Sequence, residues 1–455
     1  MGENLMLNTD GTVVPDNGFQ MPDSHDPNKY MIDGKFNPKL MADILLSEFH
    51  FFAYAETESI YVYEDGIYKP TGIYFIKKEM LERLGKYFRI GQVKEVTQQI
   101  KIKSMIDRYK INSERHLINL NNGIFDTKEW KFKKHDPRFL STIRIPKTYD
   151  PDAKCPIINR FLDDVVSQKD KQTLIEWSGL MLIIETMFEK AMMLCGSGGN
   201  GKSTFINLLT ALIGDENTTA IPLQKLIDEN NNKFIVAHLH EKLMNVCADI
   251  PSTTIHNSDM FKRLVGKDKI TGEHKFGHPF EFYNPARLIF SARIIPNLAE
   301  IGDEAYYRRW LIVEFLNRFT GESDDKDMQN KLTTDTELSG FLNLALAGLK
   351  TILQNGRFTH ELSIQDTAYL YIKKANPVYK FSEECIVSSP NDILKNEVYL
   401  EYLRWCEQYN EKPMNNNIFG KNMKALRYLS VQKGDSKYYW EGIAIKTNTK
   451  RIRNP

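Results

Sequence analysis

The stretch that decides the fold is Ala191–Gly214, AMMLCGSGGNGKSTFINLLTALIG. Its first five residues are apolar and read as a buried strand, and its last eleven read as a helix. Between them Gly196, Ser197, Gly198, Gly199, Asn200, Gly201, Lys202 and Ser203 fit G-x-x-x-x-G-K-[ST]. Glycines let the backbone curl so that successive amides, through Thr204, point at the β- and γ-phosphates of a nucleotide. Lys202 adds a positive charge, and the Ser203 hydroxyl can ligate Mg²⁺. Strand, loop and helix in this order are the context the motif demands, so the reading is an ATP site with Mg²⁺.

Magnesium also wants a carboxylate at the tip of a neighbouring strand. KLMNVCADI supplies a strand ending in Asp249, 47 residues beyond Lys202; the bland reading is an Asp capping the next loop. No second acid follows, because Ile250 and Pro251 come next, and the group that activates water stays open. RLIFSARIIPN is a further strand, ending in Ser291, Arg293 and Asn297, any of which could sense a γ-phosphate. DEAYYRRWLIVEF then sets Arg308 and Arg309 before another apolar strand. An arginine fork suits charge on a transferring phosphoryl group, often supplied by a neighbouring subunit, whereas the alternative is a surface ion pair.

Around this core, 455 residues imply about three domains. The short strands and helices between Ala191 and Phe315 predict an α/β sheet. SIYVYEDGIYKP predicts a hairpin at Asp65-Gly66, a second ribbon turns at Asn122-Gly123, residues 156–190 read as two helices, and SKYYWEGIAIK ends the chain as strand. No apolar run is long enough for a membrane span, and MGENLMLNTD is no secretory leader, so a cytoplasmic place is expected. Five cysteines without a CxxC pair read as thiols rather than as a zinc site. Net charge is +1, but its distribution is uneven. Residues 1–60 hold ten acids against three lysines, a net of −7, and residues 395–455 hold twelve Lys or Arg against six acids, a net of +6. A basic tail fits a polyanion partner or a solvated surface equally well.

The ordered series GSGGNGKST, NVCADI, VGKDKITGEHKFGHPFEF, RLIFSARIIPN and DEAYYRRWLIVEF resembles the superfamily-three helicase domain. More narrowly, it resembles the phage and plasmid primase-helicase family that includes the poxvirus-type helicase-primases. Upstream NNGIFDTKEWKFKKHDP and YDPDAKCPIINRFLDDV, and downstream ILKNEVYLEYLRWCEQYN and FGKNMKALRY, extend the resemblance over roughly residues 115–455. Replication initiators of phage-inducible chromosomal islands and related mobile elements look similar. The resemblance implies an α/β AAA+-like P-loop core with an α+β N-terminal region and a mostly helical, winged-helix-like C-terminal domain. It also implies a hexameric ring translocating on one DNA strand, typically 3′ to 5′. Carried over, Lys202 and Ser203 match the phosphate and magnesium positions, Asp249 the second-strand acid, and Arg308 the arginine finger with Arg309 beside it. Two departures stand out: a single acid on the second strand, and Arg293 where the family usually shows Asn, which puts the sensor role in doubt. The expected division is 1–40 an acidic flexible arm, 41–155 a helicase-associated domain, 156–320 the core with its preceding helices, and 321–455 the C-terminal domain.

In that family the segment between acid strand and sensor strand carries a hairpin into the central channel. GKDKITGEHKFGH (Gly266–His278) lies there, with Lys267, Lys269, His274 and Lys275 around an expected turn at Thr271-Gly272. A ring of such loops would follow a phosphate backbone without reading bases; the bland reading is a basic surface hairpin. Lys421, Lys424, Arg427, Lys433, Lys437, Tyr439 and Trp440 could meet duplex DNA at an origin, with IFGKNMKALRYL as the groove helix; an amphipathic helix with a solvated basic face is nearly as good a reading. The first 110 residues hold no convincing D-x-D constellation for a primase, which leaves a separate primase or host replication proteins as expected partners. The competing reading is an ATP-regulated initiator that melts an origin and recruits a host helicase.

Overall fold

The computed structural model describes residues 5–7, 13–15, 26–54, 59–184, 188–228, 232–275, 277–300, 302–321, 324–409, 411–434 and 437–446. The chain divides into two compact units, residues 1–114 with 134–142, and residues 115–133 with 143–455.

The first unit packs helices α1 (Pro38–Glu48), α2 (Gly72–Leu84) and α3 (Ile90–Lys103) with a meander of β1 (Phe51–Ala53), β2 (Ile60–Glu64) and β3 (Ile67–Lys69). The Asn37 side chain accepts from the Leu40 amide and Pro38 opens α1, two ordinary start signals. Asp65 and Gly66 both hold positive φ, 52° and 83°, as a two-residue hairpin turn needs. The expected flexible arm must be shortened. Residues 26–36 form a helical turn and a small hairpin, and Tyr30 is buried among Met41, Leu45 and Met80. Residues 1–25 lie outside the description, apart from the strands at 5–7 and 13–15.

The second unit begins with a three-stranded antiparallel sheet, β4 (Leu117–Leu120), β5 (Gly123–Asp126) and β6 (Lys131–Lys133), so these residues belong with the core rather than with an N-terminal domain ending at 155. Helices α4 (Pro156–Val165) and α5 (Gln168–Leu180) follow. The central sheet contains β7 (Ala191–Cys195), β8 (Thr218–Thr219), β9 (Met244–Cys247), β12 (Arg287–Ala292) and β13 (Trp310–Glu314), all parallel, in the spatial order β8-β9-β12-β7-β13. Side chains alternate across β7: Met192 and Leu194 enter the core of α5 and of α6 (Lys202–Ile213), while Ala191, Met193 and Cys195 enter the opposite core. A strand buried on both faces explains the unbroken apolar run AMMLC.

Helix α7 (Asp335–Asn355) lies against α5 so closely that a Cβ on Gly179 would stand 2.2 Å from the Ala345 carbonyl oxygen. Thus α7 is part of the core, not of a C-terminal domain beginning at 321. The C-terminal lobe starts later, after α8 (Ile364–Ala375). It joins α9 (Pro377–Cys385), α10 (Lys395–Gln408) and α11 (Asn416–Ala425) to an antiparallel sheet of β15 (Ile393–Leu394), β17 (Tyr438–Trp440) and β16 (Ser430–Gln432). A further pair, β14 (Ile386–Ser388) with β18 (Ile443–Ile445), closes its edge. Among the described residues no helix is long and apolar enough to cross a membrane. All five cysteines are free thiols.

Candidate functional site

The glycine-rich loop leaves the C-terminal end of β7 and enters α6, whose N-cap is Gly201 at φ 90°. Gly196 (φ 150°) and Gly199 (φ 69°) also occupy conformations that side-chain-bearing residues avoid. At Gly196 a Cβ would lie 2.5 Å from the Phe315 carbonyl oxygen, so the loop depends on its absence. Asn200, buried, donates through Nδ2 to that same carbonyl at 3.0 Å, and the Phe319 amide donates to Gly199 O at 2.7 Å. The loop is therefore pinned to the chain that leaves β13.

Lys202 is 5% exposed, and its Nζ donates to Gly196 O (2.8 Å), Ser197 O (3.0 Å) and Asn200 Oδ1 (2.8 Å). These neutral oxygens satisfy hydrogen bonds without balancing charge. Burial accordingly pulls the ammonium pKa down to about 8, against the opposing attraction of Asp249. A polyanion beside this ammonium would restore its ordinary ionisation. A cavity of about 330 Å³ adjoins it, lined by the loop from Gly198 to Thr204 and by Asp249. The remaining wall comes from Phe161 and Asp164 of α4 and from Phe319, Asp324, Asp325 and Met328 beyond β13. No motif announced these last six, because they come from helices and loops whose composition is ordinary.

Asp249 follows β9 with φ 51°, its amide donating to Ser291 Oγ at 3.1 Å, while the Ile250 amide donates to Ser291 O at 2.9 Å. Ser291, buried in β12, thus holds the acid's backbone rather than facing the cavity. Ser203 is exposed on the other wall. Among the described residues no cluster of three His, Cys, Asp or Glu gathers as a self-sufficient metal cage. One hydroxyl and one carboxylate suit Mg²⁺ that takes its other ligands from phosphates and water.

Arg293 does not line this cavity. Its Nη2 pairs with Glu384 Oε2 at 3.1 Å, and its guanidinium lies 4.8 Å from the Trp405 ring centre and 3.2 Å from that of Tyr409. Trp405 Nε1 donates to the same Glu384 oxygen at 2.8 Å. The sensor assignment therefore gives way to a clasp between the end of β12 and the C-terminal lobe. Arg308 and Arg309 lie at the other end of the sheet, before β13. Both reach Glu189 Oε2, at 3.5 and 3.6 Å. Arg309 is buried, donates to Ala305 O, and has its pKa lowered by burial; Arg308 is half exposed.

The basic hairpin exists but turns later than expected. Strands β10 (Lys269–Glu273) and β11 (Pro279–Tyr283) pair Thr271 with Glu281 and Gly272 with Phe280, so the turn is at 274–278. Gly272 allows a close approach, since a Cβ there would lie 3.2 Å from Ala237 Cα. His274, stacked on Phe280, and exposed Lys275 form the tip. Lys267 and Lys269 sit at the base, where Lys269 pairs with Glu281 at 3.3 Å. In the C-terminal lobe α11 exposes Lys421 and Lys424 and buries Phe419 and Met423. Trp440 belongs to the core, with Lys395 4.4 Å over its ring, and Lys433 pairs with Asp392 at 3.0 Å.

Three family models match this chain in order: "D5 N terminal like" over residues 42–167, a family of unknown function (DUF5906) over 194–309, and "Poxvirus D5 protein-like" over 373–450. The chain is 24% identical over 307 residues to the "Putative helicase L207/L206" of Acanthamoeba polyphaga mimivirus. That match covers 62% of this chain and 32% of the relative, so the chain spans about a third of that protein's length. The A form apo structure of the NrS-1 C-terminal region shares the fold at a TM-score of 0.50 and 10% identity, over 89% of this chain and 98% of that one. Another apo structure of the same region aligns at 0.48 and 12% identity, over 90% and 100%. With D5-type segments on both flanks of the glycine-loop sheet, the chain is similar to the phage- and poxvirus-type primase-helicase family.

Proposed function

We propose that this chain is an ATP-dependent DNA helicase and replication initiator of a mobile element, acting as a hexameric ring that moves along one strand, 3′ to 5′. The observation that carries the reading is the strand order β8-β9-β12-β7-β13, which is the AAA+-like arrangement. It sets the glycine-rich loop and Asp249 at the same end of the sheet, on β7 and β9 with β12 between them, and a basic hairpin is inserted in the chain between β9 and β12. The helicase name of the mimivirus relative supports the same class.

In this reading Lys202 and the loop amides hold the β- and γ-phosphates, and Ser203 and Asp249 hold Mg²⁺, which supplies charge neutralisation at the transferring group. Arg308 serves the site of a neighbouring subunit. Six hairpin tips, each with His274 and Lys275, line a channel for single-stranded DNA. Read as a winged helix, the C-terminal lobe of three helices with a three-stranded sheet offers Lys421 and Lys424 to duplex DNA at an origin. A second reading, an ATP-regulated melting initiator that recruits a host helicase, draws on the single acid and on Arg293 being engaged away from the cavity.

Unwinding of a forked duplex by the full chain separates the two. We expect strand displacement by the wild type and none by Lys202→Ala. In Lys269→Ala with Lys275→Ala we expect basal ATPase to remain and its stimulation by single strands to vanish. Origin binding without displacement by the wild type would favour the second reading, and undiminished stimulation in the double variant would remove the channel role of the hairpin.

A further inference from the structure

Helix α2 buries Ile76, Met80 and Leu84 in the first unit and turns its other side outward. Positions 74, 77, 78 and 81 share one helical face, and all four are exposed: Tyr74 (72%), Lys77, Lys78 and Leu81. Beyond the helix end the same kind of surface continues through Lys86, Tyr87, Arg89, Ile90 and Lys94, also exposed. Lys86 Nζ stands 5.3 Å over the Tyr87 ring. From Tyr74 to Leu84, where α2 ends, the helix rise gives about 15 Å, the length of a few nucleotides.

Several other cations in this unit are neutralised: Lys39 and Lys103 by Asp43, Lys69 by Glu64 and Asp65, and the buried Arg83 by Glu48 and Glu79. On the α2 face Lys78 has only a 3.9 Å contact with Glu82, both exposed. Among the described residues Lys77, Lys86, Arg89 and Lys94 have no acidic partner. Protein interfaces deplete lysine from their centres, whereas unpaired cations interleaved with exposed tyrosines suit phosphates alternating with bases.

We propose that this face of the first unit is a binding site for single-stranded nucleic acid, separate from the basic hairpin. Cations Lys77, Lys86, Arg89 and Lys94 follow the backbone, and Tyr74 and Tyr87 stack on bases without reading their identity. The site goes beyond the function proposed above and does not need a ring, a channel or a nucleotide.

The test uses the full chain carrying Lys269→Ala and Lys275→Ala, so that the hairpin does not mask the result, and labelled oligo(dT) and oligo(U) as probes. Adding Tyr74→Ala with Tyr87→Ala should weaken anisotropy-detected binding roughly tenfold or more, given one to three kcal/mol per stacked base. Adding Lys77→Ala, Lys86→Ala and Arg89→Ala instead should reduce the slope of log affinity against log salt by about two. Photocrosslinking of a 5-iodouracil oligonucleotide should place adducts on Tyr74 or Tyr87. Comparable weakening with both probes makes the site indifferent to the sugar; weakening with one alone assigns it to DNA or to RNA. Unchanged affinity and salt slope, with crosslinks elsewhere, would overturn the proposal. So would a fall in oligomer mass, measured without nucleic acid, as the sole effect of the tyrosine changes, because the face would then be a contact between copies.

Discussion

Lys202 offers a direct measurement of what the glycine-rich loop is built to hold. Burial lowers its pKa to about 8 from an ordinary value of 10.5. The native state therefore binds fewer protons than the unfolded chain between these two values, so the lysine's contribution to stability is least favourable below pH 8 and recovers as pH rises toward 10.5. The depression corresponds to about 3 kcal/mol, to an order of magnitude. A bound triphosphate offsets that cost by favouring the charged form. Nucleotide binding should then take up about half a proton at pH 8, roughly 0.9 at pH 9 and about 0.1 at pH 7, since phosphates bound to magnesium are already fully ionised at pH 8 and 9. Isothermal titration in buffers of different ionisation enthalpy reads this number directly. Lys202→Arg keeps a permanent charge, so it should retain measurable binding and lose the uptake. Absence of uptake at pH 9 in the wild type, or equal uptake in Lys202→Arg, would refute the assignment of this lysine to the phosphates.

Two glycines of one loop should behave oppositely. Gly196→Ala forces a Cβ against the Phe315 carbonyl and Asn200 at positive φ, and should lower nucleotide affinity at least tenfold; Gly198→Ala, with nothing within 4 Å, should keep the loop shape, as nucleotide titration of both variants would register. Arg293→Ala removes an ion pair and contacts with two rings, and leaves Glu384 partnered chiefly by Trp405. A loss of about 2 kcal/mol, seen as a melting shift of a few degrees and faster amide exchange in α9 and α10, is expected, with nucleotide affinity unchanged. A sharp fall in nucleotide affinity instead would return Arg293 to the role of sensor.

Local chemistry made the loop, its flanking strand and helix, Asp249 and two of the hairpins readable from sequence. Asp65-Gly66 and Gly201 work through backbone conformations that their neighbours announce. What escaped were features fixed by distant contacts. Gly272 resembles a turn residue, yet its missing side chain admits Ala237, and the turn falls at 274–278. Gly179 and Gly348 bring α5 and α7 into one packed pair across more than 160 residues, so no local signal could have assigned α7 to the core. Arg293 was read from its neighbours in the chain, whereas its environment is made by Glu384, Trp405 and Tyr409, about 90 to 116 residues later. The cavity wall of Phe161, Phe319 and Met328 is of the same kind.

The parallel sheet constrains how Arg308 can act. Ala191 pairs with Trp310 and Cys195 with Glu314, so the loop leaves the sheet at one end while Arg308 enters at the other. Five residues of strand separate the two ends by about 16 Å, which exceeds the reach of an arginine side chain. Arg308 therefore cannot touch a phosphate held by its own Lys202. Among the described residues its ionic partner is Glu189, and at half exposure that pair contributes little and is readily exchanged for a stronger anion. Arg308→Ala should accordingly leave nucleotide affinity intact while reducing turnover by on the order of 10³. A mixture of Arg308→Ala and Lys202→Ala chains should regain part of the activity that each lacks alone, because some interfaces would combine an intact Lys202 with an intact Arg308. Failure of the mixture to recover any activity, in assemblies verified to contain both chains, would count against catalysis shared between subunits.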